Sequence, residues 1–423
     1  MNIWILNHYA VPQRYYYLAR SYHFAKRLLE MGHSVTVFAA SSVHNSDINL
    51  ITGSEKYREM EEDGIRYVLF RARQYQGSGK ARVINHIECA WEMARQCPTF
   101  TDKYGRPDLI YASAGQSLTL VAGIKLAKKL GISCVSEVTD LWPESFVAYG
   151  LISEKNPLLK MLYAGERWIY SHSDAVIFSM EGGRDYIIEK GWDKAHGGPV
   201  DLSKVYHINN GVDLAAFDYN KEHYVLDDAD LDDAEAFKLV YTGSLRMVND
   251  LSAVIRAAEL LKKEEGLRLR VLIYGDGDRR EELCAEAAKR GLDNVLFKGR
   301  VDKSFIPNIL SRADACIMDG GAAAGIEKYG MSQNKLFDYL ASGKPIISPV
   351  DSAYDIIKES GSGICVQNSP EKVADAIRRL RKDPELCERL GLKARETSLE
   401  FDFSRLTDKL FKIFEQLQGN CND

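Results

Sequence analysis

Strands, loops and helices alternate along this chain in a regular order, and this alternation limits its fold more than any other feature. Residues 2–7 form an apolar run that predicts a strand, residues 14–31 have helical periodicity, and residues 34–39 predict another strand. Further strands are predicted at 109–112, 133–137, 175–179 and 205–208. Repeated βαβ units predict an α/β fold with an open, mostly parallel sheet that binds ligands at the carboxyl ends of its strands.

The same alternation starts again near residue 238. Strands are predicted at 238–241, 269–274, 294–297, 315–318, 346–350 and 364–366. Because 423 residues exceed a comfortable single core, we expect two domains, with residues 1–210 in the first and 211–402 in the second. The acidic stretch 227–235 is interpreted as a solvated connector. A cation site there is an alternative, although no glycine-containing calcium-loop pattern accompanies it.

Composition and charge exclude several classes of protein. No run approaches the roughly 18 apolar residues of a membrane-spanning helix, and residues 2–6 predict a buried strand without a basic leader or a cleavage site. The sequence therefore predicts a cytoplasmic protein, with the inner face of the cytoplasmic membrane as a further expected location. A net charge of −5 is unlike that of a nucleic-acid-binding protein. The eight scattered cysteines predict reduced, mostly structural thiols.

One part of the first domain combines cations with aromatic side chains. The cations are Arg66, Arg71, Arg73, Lys80, Arg82, Arg95, Lys103 and Arg106, and Tyr67, Phe70, Tyr75, Trp91 and Phe100 lie between them. This mixture predicts contact with an anionic membrane surface or with a lipid-linked pyrophosphate. The alternative is an ordinary solvated loop and helix face.

The segment 330–345, GMSQNKLFDYLASGKP, predicts a polar turn, a helix and a following strand. Asn334 and Lys335 fall at the helix start, where backbone N–H groups and a full positive charge favour a phosphate. Asp338 lies three residues after Lys335, on the same helical face, and can accept hydrogen bonds from a sugar hydroxyl. The segment therefore predicts a site for a phosphorylated sugar compound.

Five segments in order resemble family 4 retaining glycosyltransferases, in particular bacterial enzymes that transfer N-acetylated amino-deoxy sugars during O-antigen or capsule assembly. They are EVTDLWPES (137–145), HINNGVDLAAF (207–217), LVYTGSL (239–245), VLIYGDGDRREEL (271–283) and NKLFDYLASGKPII (334–347). The resemblance implies the GT-B architecture, in which two Rossmann-like domains face each other across a cleft. It also implies that a helix within residues 403–423 packs back on the N-terminal domain.

The resemblance assigns donor-binding roles to several loops of the second domain. Gly243 and Arg246 follow one predicted strand, and glycine there lets the backbone approach a phosphate. This chain lacks the family's usual Lys-Gly after that arginine, so Arg246 is the expected substitute cation. Gly275 and Gly277 follow the next strand but lack the third glycine of a dinucleotide loop. Gly299 and Arg300 occupy the stretch that holds the base in similar enzymes.

The family's Glu-x7-Glu pair is incomplete in this chain. Gly330 stands where the first glutamate is expected, which leaves Glu327 as the candidate catalytic residue near the donor sugar, with Lys328 as a further contact. Asp338 keeps the expected ribose contact. In the first domain His8, Gln13 and Arg14 are the predicted acceptor-binding residues, because related enzymes place their Gly-Gly pair in this loop.

Glu137 and Asp140 follow a predicted strand, so their carboxylates are expected at the carboxyl edge of the first sheet as catalytic, acceptor-site acids. The alternative is a capped turn beside a buried Trp142.

Together these features predict a retaining glycosyltransferase that uses a nucleoside-diphosphate sugar, expected to be a UDP-N-acetyl amino sugar, and a lipid-linked glycan acceptor. No cofactor and no metal are expected, because cations of the protein would stabilise the departing diphosphate. The alternatives are a nucleotide-sugar epimerase of the same shape and a non-catalytic glycan-binding subunit.

Overall fold

The computed structural model describes most of the chain. The described residues are 1–17, 19–44, 46–75, 77, 79–114, 117–262, 264, 266, 268–321, 325–350 and 352–419. They form two compact units, the first made of residues 1–209 with 403–423 and the second of residues 210–402. Residues 420–423, which include Cys421, lie outside the described residues.

The first unit contains one eight-stranded sheet. Its strands are β1 (Asn2–Leu6), β2 (Ser34–Ala40), β3 (Tyr57–Glu62), β4 (Ile65–Phe70), β5 (Leu109–Ala114), β6 (Ser133–Val138), β7 (Ala175–Phe178) and β8 (Val205–His207). The strand order is β3-β4-β2-β1-β5-β6-β7-β8. All neighbouring pairs are parallel except β3 with β4, which form an antiparallel pair at one edge.

Helices cover this sheet. They are α1 (Ala19–Glu30), α2 (Lys80–Gln96), α3 (Thr101–Tyr104), α4 (Ser117–Leu130), α5 (Glu144–Ala148), α6 (Pro157–His172), α7 (Gly183–Glu189) and, from the other end of the chain, α16 (Phe403–Gly419). The predicted α/β class is therefore confirmed. Strands β1 and β7 are nearly continuous apolar runs because helices bury both faces of a parallel sheet.

The last helix, α16, is part of the first unit's core. Its buried face carries Phe403, Leu406, Leu410, Ile413 and Phe414. The ring of Phe403 stacks on His23 at 4.5 Å and meets Phe24 edge-on at 5.9 Å. Apolar side chains at these spacings form one stripe of a helix, which explains why α16 packs here rather than standing in solvent.

The second unit has a six-stranded, all-parallel sheet. Its strands are β9 (Phe237–Thr242), β10 (Leu269–Tyr274), β11 (Val295–Gly299), β12 (Ala315–Ile317), β13 (Ile346–Ser348) and β14 (Gly363–Cys365), in the order β11-β10-β9-β12-β13-β14. Its helices are α8 (Leu214–His223), α9 (Ser252–Lys262), α10 (Arg280–Lys289), α11 (Ile306–Ser311), α12 (Asn334–Ser342), α13 (Ile356–Ser360), α14 (Pro370–Lys382) and α15 (Pro384–Ser398).

The acidic stretch 227–235 is a solvated connector only in part, because Asp227, Asp232 and Glu235 are exposed but the half-buried carboxylates of the stretch are held in ion pairs. Lys298 contacts Asp228 and Asp230, each at 2.6 Å. Arg270 pairs with Asp233 at 3.2 Å. These ion pairs fasten the stretch to β10 and β11, because strand cations point toward it and offset its negative charge.

Among the described residues, no helix is long and apolar enough to cross a membrane. The seven described cysteines are free thiols, and Cys89, Cys97, Cys134 and Cys316 are buried.

Glu166 on α6 makes the stability of the first unit depend on pH. Its buried carboxylate accepts hydrogen bonds from Tyr170 Oη (2.6 Å) and Tyr186 Oη (2.8 Å), and burial raises its pKa to about 8. An unfolded glutamate has a pKa of about 4.3, so the folded state binds the extra proton between these values. The free energy of unfolding is therefore expected to fall as pH rises from about 4.3 to about 8, by at most about 1.4 kcal/mol per pH unit from this group.

Urea unfolding of the wild type and of Glu166→Gln at about pH 5 and about pH 7.5 measures this contribution. The variant is expected to lose less stability than the wild type on going to the higher pH. Glu154→Gln, at an exposed carboxylate of the same unit, is the control. Equal pH dependence in wild type and Glu166→Gln would contradict the assignment.

Candidate functional site

A pocket of about 390 Å³ lies in the second unit at the carboxyl edge of its sheet. It is formed by the end of β9, the start of α12 and a short 3₁₀ turn before α11. Its lining residues are Thr242, Gly243, Ser244, Asn249, Lys303, Ile306, Gln333, Asn334, Lys335 and Asp338. Four of the predicted donor-binding residues, Gly243, Asn334, Lys335 and Asp338, therefore share one pocket.

Lys335 provides the fixed positive charge of this pocket. Its Nζ forms an ion pair with Asp319 Oδ2 and donates to Tyr241 Oη at 2.9 Å. The ammonium also lies 4.6 Å from the centre of the Tyr241 ring. Asp319 is fully buried, and its Oδ1 has no hydrogen-bond partner in the described structure. These contacts hold a long, flexible side chain in one position on the pocket wall.

Asp338 lies one helical turn after Lys335 and lines the same pocket. It is half-buried, and desolvation raises the pKa of its carboxyl group. The positive charge of Lys303 acts in the opposite direction. A carboxylate beside a cationic pocket wall is placed to accept hydrogen bonds from hydroxyl groups of a bound sugar or ribose.

The start of α12 has no side-chain cap. Gln333 is the N-cap residue of α12, and its side chain makes no capping hydrogen bond. The side chain of Asn334 is instead engaged by Asn210, whose Nδ2 donates to Asn334 Oδ1. The helix N-terminus thus lines the pocket without a side-chain cap of its own, an arrangement that suits an anionic ligand.

Gly275 and Gly277 are surrounded by backbone. A Cβ on Gly275 would lie 1.8 Å from the carbonyl oxygen of Gly243, and one on Gly277 would lie 2.2 Å from that of Leu245. The two glycines therefore let the loop after β10 pack directly on the loop after β9. Neither glycine lines the pocket described above. Their close packing instead supports the loop of Gly243, which does line it.

Arg246, Arg300, Gly299 and Glu327 lie outside that pocket's lining. Arg246 and Arg300 are exposed. Gly299 accepts a hydrogen bond from the backbone N–H of Gly275 at 2.7 Å. Glu327 is half-buried in a 3₁₀ turn, Glu327–Tyr329, and the residues 322–324 that precede this turn are outside the described residues.

Glu137, predicted as an acceptor-site acid, lies in the core of the first unit. It is fully buried and pairs with Arg20, whose Nη2 is 2.6 Å and Nε 2.7 Å from Oε1. Ser113 Oγ donates to its Oε2 at 2.5 Å. Glu137 is at the predicted end of its strand, but Arg20 on α1, too distant in sequence to suggest a partner, covers its carboxylate. No acceptor reaches the group without breaking a buried ion pair.

Asp140, the second predicted acid, is exposed at the end of the segment that follows β6. It interacts electrostatically with Arg82, at the start of α2. Desolvation raises the pKa of the Asp140 carboxyl group, and the positive charge of Arg82 acts in the opposite direction. Of the two predicted acids, Asp140 is the one accessible to a ligand.

The three predicted acceptor-binding residues occupy different environments. His8 is buried, its Nε2 lies 2.7 Å from Asn85 Oδ1, and burial lowers its pKa well below the usual value. Gln13 is half-buried. Arg14 is exposed and pairs with Glu62 at 3.0 Å. The structure does not bring these three side chains into one site.

Most of the cations in the predicted mixture at 66–106 are exposed, but four of its five aromatic side chains do not reach the surface. Tyr67, Phe70, Tyr75 and Phe100 are buried. Tyr67 and Phe70 belong to strand β4, which the sequence analysis missed, and their rings lie in the core of the unit. Trp91, in contrast, is 68% exposed.

Several residues that line this pocket or hold Lys335 escaped the sequence analysis. Asp319 is the first ionisable residue after the apolar strand β12, and that position at the carboxyl edge was a usable signal. Lys303 and Asn249 come from loops without a motif, and only the tertiary fold brings them to α12.

Each of the two units matches a model of a known protein family. Residues 19–197 match the family "Glycosyl transferase 4-like domain", and residues 228–397 match the family "Glycosyl transferases group 1".

Among curated relatives, a putative glycosyltransferase EpsD of Bacillus subtilis is 28% identical over 62% of this chain and 65% of its own length. An alpha-D-kanosaminyltransferase of Streptomyces kanamyceticus is 27% identical over 47% of this chain and 48% of its own. The matches thus span between about half and just under two thirds of these relatives.

Among solved structures, a sucrose-phosphate synthase from Thermosynechococcus elongatus superposes with a TM-score of 0.70 and 17% identity, covering 99% of this chain and 100% of that one. Anabaena Alr3699/HepE in complex with UDP gives a TM-score of 0.68 and 16% identity, covering 98% and 100%. These likenesses confirm the predicted fold class.

Proposed function

We propose that this GT-B chain, built from two glycosyltransferase domains, transfers a sugar from a nucleoside diphosphate to a hydroxyl of a lipid-linked glycan, with retention of anomeric configuration. The proposed donor is a UDP-N-acetyl amino sugar, and the proposed setting is the assembly of surface polysaccharide (O-antigen or capsule) on the cytoplasmic side of the membrane. Support for the chemistry comes from both domain families. Support for the setting comes from a relative described as a lipopolysaccharide core glycosyltransferase, 31% identical over 43% of this chain.

One observation carries the proposal: an immobilised ammonium group and a carboxylate one helical turn apart line a single pocket. Lys335 is held by Asp319 and Tyr241, and Asp338 follows on the same face of α12. A nucleoside diphosphate has the matching pair of features, since its phosphates are anionic and its ribose carries hydroxyl groups. The relative that crystallised with UDP supports the choice of nucleotide class.

The chemical obstacle is negative charge that grows on the leaving diphosphate. As the bond between the anomeric carbon and the phosphate oxygen breaks, its electron pair goes to the diphosphate. The ammonium of Lys335 and the N-terminus of α12 stabilise that charge without having to reorganise, which is how preorganised sites accelerate such steps. In this proposal the protein supplies the positive charge that a divalent metal supplies elsewhere.

On the acceptor side, a hydroxyl oxygen forms the new bond to the anomeric carbon on the face that the diphosphate leaves. Its proton passes to the departing phosphate or to a nearby carboxylate. Asp140 is the proposed carboxylate, because it is exposed at the carboxyl edge of the first sheet, whereas Glu137 is covered by Arg20.

The proposal is tested by thermal shift measurements with UDP, GDP, ADP and CMP, followed by a transfer assay with the best-binding class in the presence of EDTA. Stabilisation by UDP above the others, and sugar transfer that EDTA does not reduce, are expected. Isomerisation of the donor without an acceptor would instead indicate an epimerase. Glycan binding with neither transfer nor donor hydrolysis would indicate a non-catalytic subunit.

A further inference from the structure

The second sheet ends at β14, which has a neighbouring strand on one side only in the described structure. That neighbour is β13, and the N–H of Val366, just after β14, donates to the carbonyl oxygen of Ser348 at 2.9 Å. Successive residues of a strand direct their backbone hydrogen-bonding groups to opposite sides. Since Val366 faces β13, the N–H and carbonyl groups of Cys365 and Gly363 face the open side, where a further strand can bond to them.

The other three sheet edges in the described structure are protected against such pairing. At β8, Arg184 donates two hydrogen bonds, of 3.0 and 2.6 Å, to one backbone carbonyl of the strand. At β3, Glu59 pairs with Lys103 of α3 at 2.6 Å. At β11, Lys298 holds the acidic stretch 227–235 beside the strand. Proteins commonly protect their sheet edges with charges or covering segments, and β14 differs from the other edges in this respect.

A groove of about 560 Å³ lies along the open side of β14. Residues 363–367 all line this groove, whereas no residue of β13 does. At about 3.3 Å per residue, the strand side of the groove is roughly 13 Å long. Apolar side chains from other segments, among them Val350, Leu386 and Leu390, complete its lining. The groove therefore has the length and the apolar surface to hold about five residues of an extended peptide.

Three cations from three helices line the same groove. They are Lys358 of α13, Arg379 of α14 and Arg389 of α15. All three are exposed, and none has an ion-pair partner among the described residues. Asp355 is the one acid in the described lining, and its buried carboxylate accepts hydrogen bonds from two backbone N–H groups at the start of α13. The charge that the groove offers to a ligand is therefore positive.

Acidic residues close in sequence do not cancel this charge. Glu359 of α13 and Glu385 and Glu388 of α15 are exposed, but they do not line the groove. In the described structure none of them forms an ion pair with the three cations. The cations thus remain free to bind carboxylates of a partner.

We propose that this edge groove, formed by residues 363–367 with Lys358, Arg379 and Arg389, binds an acidic, extended segment of a partner protein as an additional strand of the second sheet. The outward backbone groups of β14 bond to the main chain of the segment, and the groove receives alternate side chains, as in other cases of strand addition. The cations form charge-assisted hydrogen bonds with its carboxylates.

The charge of the groove distinguishes this partner from a second copy of the chain. Pairing β14 with the β14 of another copy would bring the same three cations of both copies together, and such like charges repel each other. The groove shares no lining residue with the candidate donor pocket, so this proposal does not depend on the proposed function.

The test uses the synthetic peptide EVEVEV, labelled with fluorescein, and follows its binding to the full chain by fluorescence anisotropy. Arg379→Glu with Arg389→Glu is expected to weaken binding at least about tenfold, because attraction becomes repulsion. Arg381→Glu with Lys382→Glu is the control, since it reverses two exposed cations of α14 that do not line the groove, and it is expected to bind within about twofold of the wild type. Circular dichroism checks that both variants fold.

Two further measurements test strand addition itself. N-methylation of every second amide of the peptide keeps its charges, and it is expected to abolish binding in one register and to spare it in the other, because only one set of amides faces β14. Hydrogen–deuterium exchange of the wild type is expected to slow at residues 363–367 when the peptide is added.

Four results would overturn the proposal. The first is no peptide binding up to a Kd of about 1 mM. The second is equal binding by the wild type and by Arg379→Glu with Arg389→Glu. The third is complete displacement of the peptide by an equal concentration of inorganic pyrophosphate, which would indicate a site for small anions. The fourth is a wild-type dimer in which residues 363–367 are already protected from exchange without the peptide.

Discussion

Replacing Lys335 by methionine is expected to lower kcat/KM for sugar transfer by about 10²–10³-fold, the effect of removing one preorganised charge-stabilising group in other enzymes. Methionine keeps most of the aliphatic length of lysine but removes the ammonium held by Asp319 and Tyr241. The departing diphosphate then loses the fixed positive charge of the pocket. Steady-state kinetics together with UDP binding by calorimetry measure both parts of the effect.

The design must separate lost catalysis from lost folding, because Lys335→Met leaves the buried carboxylate of Asp319 without its cation. The double variant Lys335→Met with Asp319→Asn removes both charges. Its free energy of unfolding is expected to recover toward the wild-type value while its activity stays low. Lys344→Met, a cation beyond the end of α12, is the control and is expected to leave kcat/KM within about twofold. Wild-type turnover by the double variant would show that Lys335 only stabilises the fold.

The second large effect is on stability: Arg20→Leu is expected to lower the free energy of unfolding by about 3–5 kcal/mol, because it leaves the Glu137 carboxylate buried and unpaired. Arg20 also donates to the carbonyl oxygens of Ile208 (2.8 Å) and Asn209 (2.5 Å), so two further buried acceptors lose their partner. Urea unfolding followed by circular dichroism measures the loss.

Two further variants show whether the lost stability comes from the buried charge. The double variant Arg20→Leu with Glu137→Leu removes both buried charges and is expected to regain a large part of the lost stability. Arg14→Leu breaks an ion pair with Glu62 of similar length, 3.0 Å, in which Arg14 is 49% exposed, and is expected to cost far less stability than Arg20→Leu because solvent screens the pair. If Glu137→Gln kept full stability but abolished turnover, the original prediction of a catalytic acid would be restored.

The sequence analysis predicted those strands whose own residues form a recognisable pattern. The runs at β1 and β2 are largely apolar because both faces of the sheet are covered, and the predicted bounds of β1, β2 and β6 differ from the observed ones by one residue at most. The antiparallel pair β3 and β4 was missed. Strand β3, YREMEE, is largely polar and lies at the sheet edge, so its hydrogen bonds to β4 hold it in place and its own side chains give little signal.

In the candidate site, too, features within one helix were predicted and contacts between distant segments were not. Lys335 and Asp338 were found because one helix carries both, and a spacing of three residues already predicts a shared face. Asp319 and Lys303 reach the pocket through other loops, and no spacing in the sequence relates them to α12. The partner of Glu137 was missed for the same reason, since 117 residues separate it from Arg20.

The position of α16 determines the order in which the two units can complete their cores during synthesis. Residues 210–402 leave the ribosome before α16 does, and they contain every strand of the second sheet. The first unit cannot complete its core until α16 has been synthesised. Until then Phe24 and Tyr111 lack the rings of Phe403 and Phe414 that pack on them. A recombinant fragment ending at residue 209 would keep that apolar surface open, whereas one spanning 210–402 would carry its whole interior with it.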